Sequence, residues 1–419
     1  MTGTIDTSQD RDGDLPRLFR SRAEHGKATT IELFFDLVFV FAITQLAATL
    51  VHDLTGRGVA QVTLQLGLVW WAWNYATWTM NWLDPDRVPV RLMLAVTMLC
   101  SLLMSIAIPT AFADGGYLFA GAYVALQFSQ NLFKVLSVPR GSLRSRGFER
   151  VLWWSVLSGV VLIAGSFADA ASDRFWWWAG AFAIDLIAPT LWYWVPVIGA
   201  SSAADWDIDP HHFAERFQLL VIVALGEGIV VIGSSAAAVE LSATTTVALC
   251  VGFLTTLCMW WLYFDFAAEA ASRRLATAPD PGSLARDGFT YLHLPIVAGI
   301  ICAAVSLKLV IKHPHELFTS TELKIILAGP LLYLLGQNAF RLRMTGTWSR
   351  ARLVAVFALV APAPILARQE TIVVAAWIAI VLVVLVVWES VSIRRWYVSL
   401  PVDSRPETLA HLGRYLDKN

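Results

Sequence analysis

The chain has 419 residues, 57% of them apolar and 15% charged, with 19 Trp and a mean hydropathy of +0.60. That balance excludes an ordinary soluble domain and predicts an all-α, polytopic transmembrane helical bundle. A net charge of −1, with bases spread by loop rather than by patch, gives no reason to expect nucleic acid as a partner.

Residues 1–28 mix Asp, Arg and Gly with few apolar side chains, too few to offset the entropy of ordering, and read as a flexible cytoplasmic tail. The first apolar run begins too late for a cleavable signal, so the first helix is expected to stay as an anchor. A span needs about 20 apolar residues, and on that basis helices are predicted near 31–51, 62–82, 90–111, 115–136, 150–170 and 175–198. A second set follows near 213–237, 244–268, 289–312, 321–341, 351–368 and 371–393, making about twelve spans. Lys and Arg favour cytoplasmic loops. They crowd alternate connections, as at Arg140, Arg144, Arg146 and Arg150 or Arg341, Arg343, Arg350 and Arg352, which places both termini inside.

The first helix, TTIELFFDLVFVFAITQL from Thr29 to Leu46, carries Glu32 and Asp36 on one face. An ionised carboxylate facing lipid costs a few kcal/mol, about 2.5–3.5 on insertion scales, so that face must turn inward. Thr29-x-x-Glu32 also matches a capping box, which leaves Glu32 open between a helix cap and a buried charge. Asp36, about 6 Å deeper, needs a partner, water or a proton. Cys100, Cys250, Cys258 and Cys302 fall singly in apolar runs and read as small core residues, not as metal or disulfide ligands. Paired tryptophans and those near helix ends, from Trp70, Trp71 and Trp73 to Trp192 and Trp194, read as interfacial anchors.

The two halves look alike. Gln130-Asn131-Leu132-Phe133-Lys134 in the fourth helix answers Gln337-Asn338-Ala339-Phe340-Arg341 in the tenth, Trp70-Trp71 answers Trp260-Trp261, and Glu32 answers Glu215. An even number of helices preserves orientation, so residues 29–198 and 213–395 are predicted to be two parallel six-helix repeats about an axis along the membrane normal. Residues 199–212 form a cytoplasmic linker and 396–419 a cytoplasmic tail.

The seventh helix opens with Asp209 as N-cap and Pro210 in the first turn. Glu215 and Arg216 lie just inside it, and Glu227 lies about 18 Å further along, between Gly226 and Gly228. Those glycines suit either close helix approach or a local break whose backbone could hold an ion. Glu227 is thus either a protonated bridge or an ion or proton site. Asp185 stands mid-helix in the sixth span, shortly before Pro189. Lys134 and Arg341 close outside-to-inside helices and, with Arg216, are the expected charge partners of the acids on the first and seventh helices. Ion pairs that merely lock the bundle would look the same in sequence. His211, His212 and Glu215 give an H-x-x-E spacing, but without further ligands no metal site is expected.

Glu32-Leu33-Phe34-Phe35-Asp36-Leu37-Val38-Phe39-Val40-Phe41-Ala42-Ile43, with His212-x-x-Glu215-Arg216 and Leu225-Gly226-Glu227, resembles the bacterial low-temperature-requirement A family. The resemblance implies a multi-pass inner-membrane protein and brings no biochemical activity. Phe34-Phe35-Asp36 also looks like the Phe-Ser-Asp first-helix motif of a potassium-channel family built from two six-helix repeats. Phe35 stands in place of its serine, Leu37 in place of the usual glycine, and Leu219 in place of the acid of the second repeat.

The function expected is a channel or proton-coupled transporter of a small ion or solute. Glu32, Asp36, Asp185, Glu215 and Glu227 are the pathway candidates, and the lipid bilayer and the transported species are the partners. The alternatives are a structural or regulatory membrane protein and, less favoured, a membrane-embedded enzyme acting from His212 and Glu215. No cofactor motif or nucleophile with its base is present, so neither enzyme activity nor a cofactor is expected.

Overall fold

The computed structural model describes residues 18–20, 27–202, 206, 208–239, 241–265 and 268–399. Most of the predicted tails, 1–28 and 396–419, and part of the linker lie outside those residues. Among the described residues there is no strand, only isolated bridges such as Phe19 to Leu83 and Leu317 to Glu370. The helices are α1 Thr30–His52, α2 Gly56–Trp82, α3 Val88–Ala107, α4 Gly116–Leu136, α5 Leu143–Ser166, α6 Ala171–Ile187, α7 Pro210–Ala237 and α8 Ala243–Phe264. They continue with α9 Ala268–Thr277, α10 Pro281–Leu284, a π-helical turn Ala285–Tyr291, α11 His293–Lys312, α12 Ser320–Thr345, α13 Arg350–Val360, α14 Ala363–Leu366 and α15 Thr371–Ser399.

Among the described residues eight segments are long and apolar enough to cross a membrane: α1, Val88–Thr110, α5, α7, α8, Pro281–Lys312, α12 and Thr371–Ser392. Exposed Leu92, Val96 and Leu99 on α3 and Ile380, Val384 and Val387 on α15 recur at three- and four-residue spacing. Each set makes one apolar flank, the surface that hydrocarbon covers. The helices α2, α4, α6 and α13–α14 coincide with the other expected segments but are shorter or carry Gln, Asn and charged side chains.

The chain divides into two compact units, one holding residues up to Ala42 with Gly67–Arg216, the other Ile43–Leu66 with residues from Phe217 onward. In the first unit α3, α4, α5 and α6 pack in sequence. One end is closed by a cluster of Phe19, Met80, Leu83, Val90, Met93, Leu94, Val138 and Phe148. Leu18–Arg20, within the stretch expected to be flexible, is therefore packed: Phe19 is buried and Arg20 Nε donates to the carbonyls of Met80 at 2.9 Å and Leu83 at 3.2 Å.

Helix α6 stops about ten residues before the predicted end at 198, because Pro189 brings no N–H to continue the ladder. The chain runs on as turns with left-handed Trp192, Tyr193 and Val197. Arg150 on α5 holds this segment through the Ile198 carbonyl at 2.8 Å, and Trp154 through that of Trp194 at 3.0 Å.

In the second unit α11 and α12 cross closely. A Cβ at Gly299 would stand 2.6 Å from the Gly329 oxygen and the Tyr333 nitrogen, so only glycine fits. Thr319 and Glu322 form a reciprocal capping box at the start of α12, and Gly346 ends that helix in the left-handed conformation.

Candidate functional site

In the first unit both carboxylates of α1 turn inward and both are held from α7. Glu32, fully buried, accepts from the Thr29 backbone N–H at 2.7 Å and its hydroxyl at 2.8 Å, so part of the capping box is present. The same carboxylate also takes Arg20 Nη2 at 3.1 Å and His212 Nε2 at 2.8 Å. The tautomer of His212 follows from Asn81. Its amide oxygen accepts from the Asp209 N–H at 2.8 Å, and its NH2 donates to the Asp209 carbonyl at 3.0 Å and reaches His212 Nδ1 at 3.1 Å. Nδ1 is therefore the acceptor and Nε2 carries the hydrogen given to Glu32, so Arg20 Nη2, 3.2 Å from the same Nε2, donates to the carboxylate and not to the ring.

One turn along, Arg216 grips Asp36 with two parallel bonds, Nη1 to Oδ2 at 2.7 Å and Nη2 to Oδ1 at 2.8 Å. Trp73 Nε1 adds a third donor at 2.9 Å, and its ring lies 5.9 Å from the guanidinium. Asp36 and Arg216 are both buried, and this bidentate geometry is the strong form of the pair. Asp209 caps α7 by accepting from the N–H groups of His211 and His212. Glu215 is half-buried and accepts from the Ala28 N–H at 3.0 Å.

Of the bases expected as charge partners, Arg216 is seen on Asp36. Lys134 is buried with its Nζ 5.9 Å from the Tyr75 ring centroid and 5.7 Å from those of Trp82 and Phe148, and among the described residues it has no ion pair. Ring faces supply the negative potential a carboxylate would have given. In the second unit Arg341 is a neighbour of Glu389, whose direct partner is Arg352 through Nε to Oε1 and Nη2 to Oε2, both 3.0 Å. Arg352, fully buried, also donates to Gln337 and to the Leu262 carbonyl.

Glu227 lies in the second unit, buried within an unbroken α7. The Thr44 hydroxyl bonds its carboxyl group, while Oε1 has no partner. Neither expected role of the flanking glycines holds. The helix does not break, and a Cβ at Gly226 would meet nothing within 4 Å and one at Gly228 only Ala304 at 3.8 Å. A side chain would thus find open space at Gly226 and ordinary packing against Ala304 at Gly228.

Asp185 belongs to the first unit, fully buried in the last turn of α6. Tyr123 donates to Oδ2 at 2.5 Å, and Oδ1 has no partner. Among the described residues no group of three His, Cys, Asp or Glu side chains is placed to hold a metal. The tryptophans divide: Trp153, Trp176 and Trp194 are exposed as anchors would be, but Trp70, Trp71 and Trp73 are buried. Trp73 is thus a member of the charged site and not an anchor.

Long apolar helices with inward carboxylates held by His, Arg and Trp define a polytopic helical membrane protein with a buried charged site. Residues 27–387 match the family described as bacterial low temperature requirement A protein (LtrA), and the chain belongs to that family. It is similar to an uncharacterized protein of Rhizobium meliloti (strain 1021), 36% identical over 378 residues that make up 90% of this chain and 92% of the other. No solved structure matches.

Proposed function

We propose that this protein moves a small ion or solute across the bacterial inner membrane, as a channel or proton-coupled transporter, without enzymatic activity. The observation that carries the reading is Glu227: a buried carboxyl with one bare oxygen, in a continuous apolar helix, next to Gly226, where the position of a Cβ is open space. A merely structural acid would have that oxygen bonded and that space filled. The protein then crosses the bilayer about twelve times with both termini in the cytoplasm. The repeat reading gains support from Ser142 and Ser349, which cap the helices after Asn131 and Asn338 at the same interval behind each.

The test is flux into proteoliposomes under gradients of K+, Na+, H+ and a few organic solutes, with Glu227→Gln alongside. Gln keeps the shape but neither releases a proton nor neutralises a cation. Normal thermal stability with lost or pH-insensitive flux is expected. Unchanged flux in a stable variant removes Glu227 from the pathway.

A second reading, a structural or regulatory membrane protein, is favoured by the satisfied pairs Glu32 with His212 and Asp36 with Arg216, which need no ligand. Absence of flux under every gradient would leave that reading standing.

A further inference from the structure

We propose that Asp185 is a proton-binding carboxyl reached by water along a polar stripe of α4 that ends at Lys134. The inference rests on the transport reading for its purpose, but its chemistry stands on the first unit alone. The buried side of α4 carries Tyr123, Gln127, Gln130 and Lys134 at spacings of three and four residues, one stripe about 16 Å long. Tyr123 touches Asp185 at one end. Between the ends, Gln127 bonds to Tyr123 and accepts from Ser155, while both amide atoms of Gln130 are buried without a hydrogen bond, as is Asp185 Oδ1. Nearly all buried side-chain polar atoms in folded proteins are paired, with protein or with ordered water. A run of unpaired ones that meets an unpaired carboxyl oxygen is the lining of a hydrated path.

The chemistry of the stripe selects the ligand. A metal cation needs acceptors only, whereas Gln127 and Gln130 present N–H donors as well, which suits water. Asp185 lies in the last turn of α6, the end where carbonyls concentrate partial negative charge and disfavour a further anion. The groups facing it are Tyr123 from α4, Tyr75 from α2 and the Ser158 hydroxyl from α5, which also bonds the carboxyl, with no charged side chain in ion-pair range among the described residues. The step is uptake of H+ that the path delivers as H3O+, which leaves as H2O, forming O–H at Oδ1 while Tyr123 continues to donate to Oδ2. Release is the reverse, and no electron is transferred.

The test is infrared spectroscopy of the full-length protein in detergent, titrated with acid and exchanged into D2O, with flux measured separately in liposomes. A neutral-carboxyl C=O band is expected to grow as pH falls, to be absent from Asp185→Asn, and to shift promptly in D2O. Gln130→Leu should slow that shift several-fold while leaving the band in place. If Asp185→Asn does not fold, Tyr123→Phe serves instead, since losing the hydrogen bond to Oδ2 must move the same band. A spectrum unchanged by the variants, a band that D2O does not shift, or one displaced by Na+ or K+ but not by pH overturns the proposal. Exchange unaffected by Gln130→Leu overturns the route. A titrating Asp185 without any flux sinks the transport reading only, and flux without the band sinks only this one.

Discussion

His212 gives its Nε2 hydrogen to Glu32 at 2.8 Å, and one turn further along both helices Arg216 holds Asp36 at 2.7 Å, so α1 and α7 are joined by two successive rungs. Each rung spans 180 residues of sequence. Both helices run the same way along it, because the numbering rises together from one rung to the next.

The second rung should behave as a desolvated pair. Arg216→Met strands the Asp36 carboxylate with Trp73 alone and is expected to cost about 3–5 kcal/mol. The double change Asp36→Leu with Arg216→Met should recover most of that loss, since no charge is then buried. Thermal unfolding in detergent measures both, and an Arg216→Met protein as stable as wild type would show that the rung locks nothing.

For the first rung the tautomer makes a sharper prediction. Gln reaches as far as Nε2 and can still donate to Glu32, whereas Asn reaches only as far as Nδ1. His212→Gln should therefore stay near wild type, while His212→Asn loses a bond to a charged acceptor, about 1.5–3 kcal/mol. Equal melting curves for the two would assign the role of His212 to its Asn81 contact instead.

Two glycines give opposite expectations. Gly226→Ala places a methyl in open space and exchanges a poor helix former for a good one, a gain of up to about 1 kcal/mol. If the open space at Gly226 carries the transported species, the same change lowers flux. Gly299→Ala meets backbone at 2.6 Å and should destabilise whatever the function. Melting temperature and flux recorded on both proteins separate a filled pathway from a disturbed core.

Orientation is checked by reporter fusions. Those after Leu54, Asp114 or Ala171 should report the outside, and those after Ser142, Ser202 or Ser283 the cytoplasm. A reversal at any of these loops contradicts parallel repeats.

The acids of the site were legible because their setting is apolar: Glu32 and Asp36 on one face of α1 could only be buried, and their run carries the family resemblance. Their partners were harder to read. His212 belonged to a weak metal spacing, and Arg20 to a polar stretch with no visible reason to fold. Lys134 looked like a base in search of an acid, but three rings from α2 and α5 surround it, and sequence does not show which rings converge. Trp73 was hidden among tryptophans that suggest an interface. Arg352 resembled a loop base because it lies in the first turn of α13, yet it is buried there against Glu389. The early end of α6 could be anticipated from Pro189, but not the left-handed residues that follow it.

Arg20 has a practical consequence for anyone shortening the chain. It reaches Glu32 from a segment that precedes α1, while pinned to the carbonyls of Met80 and Leu83. Cutting before Lys27 would leave α1 and the whole family region in place, yet it would take away one of the donors to Glu32. A trimmed protein would report a weakened Glu32 and a cluster without Phe19, so its properties should not be taken for those of the intact chain.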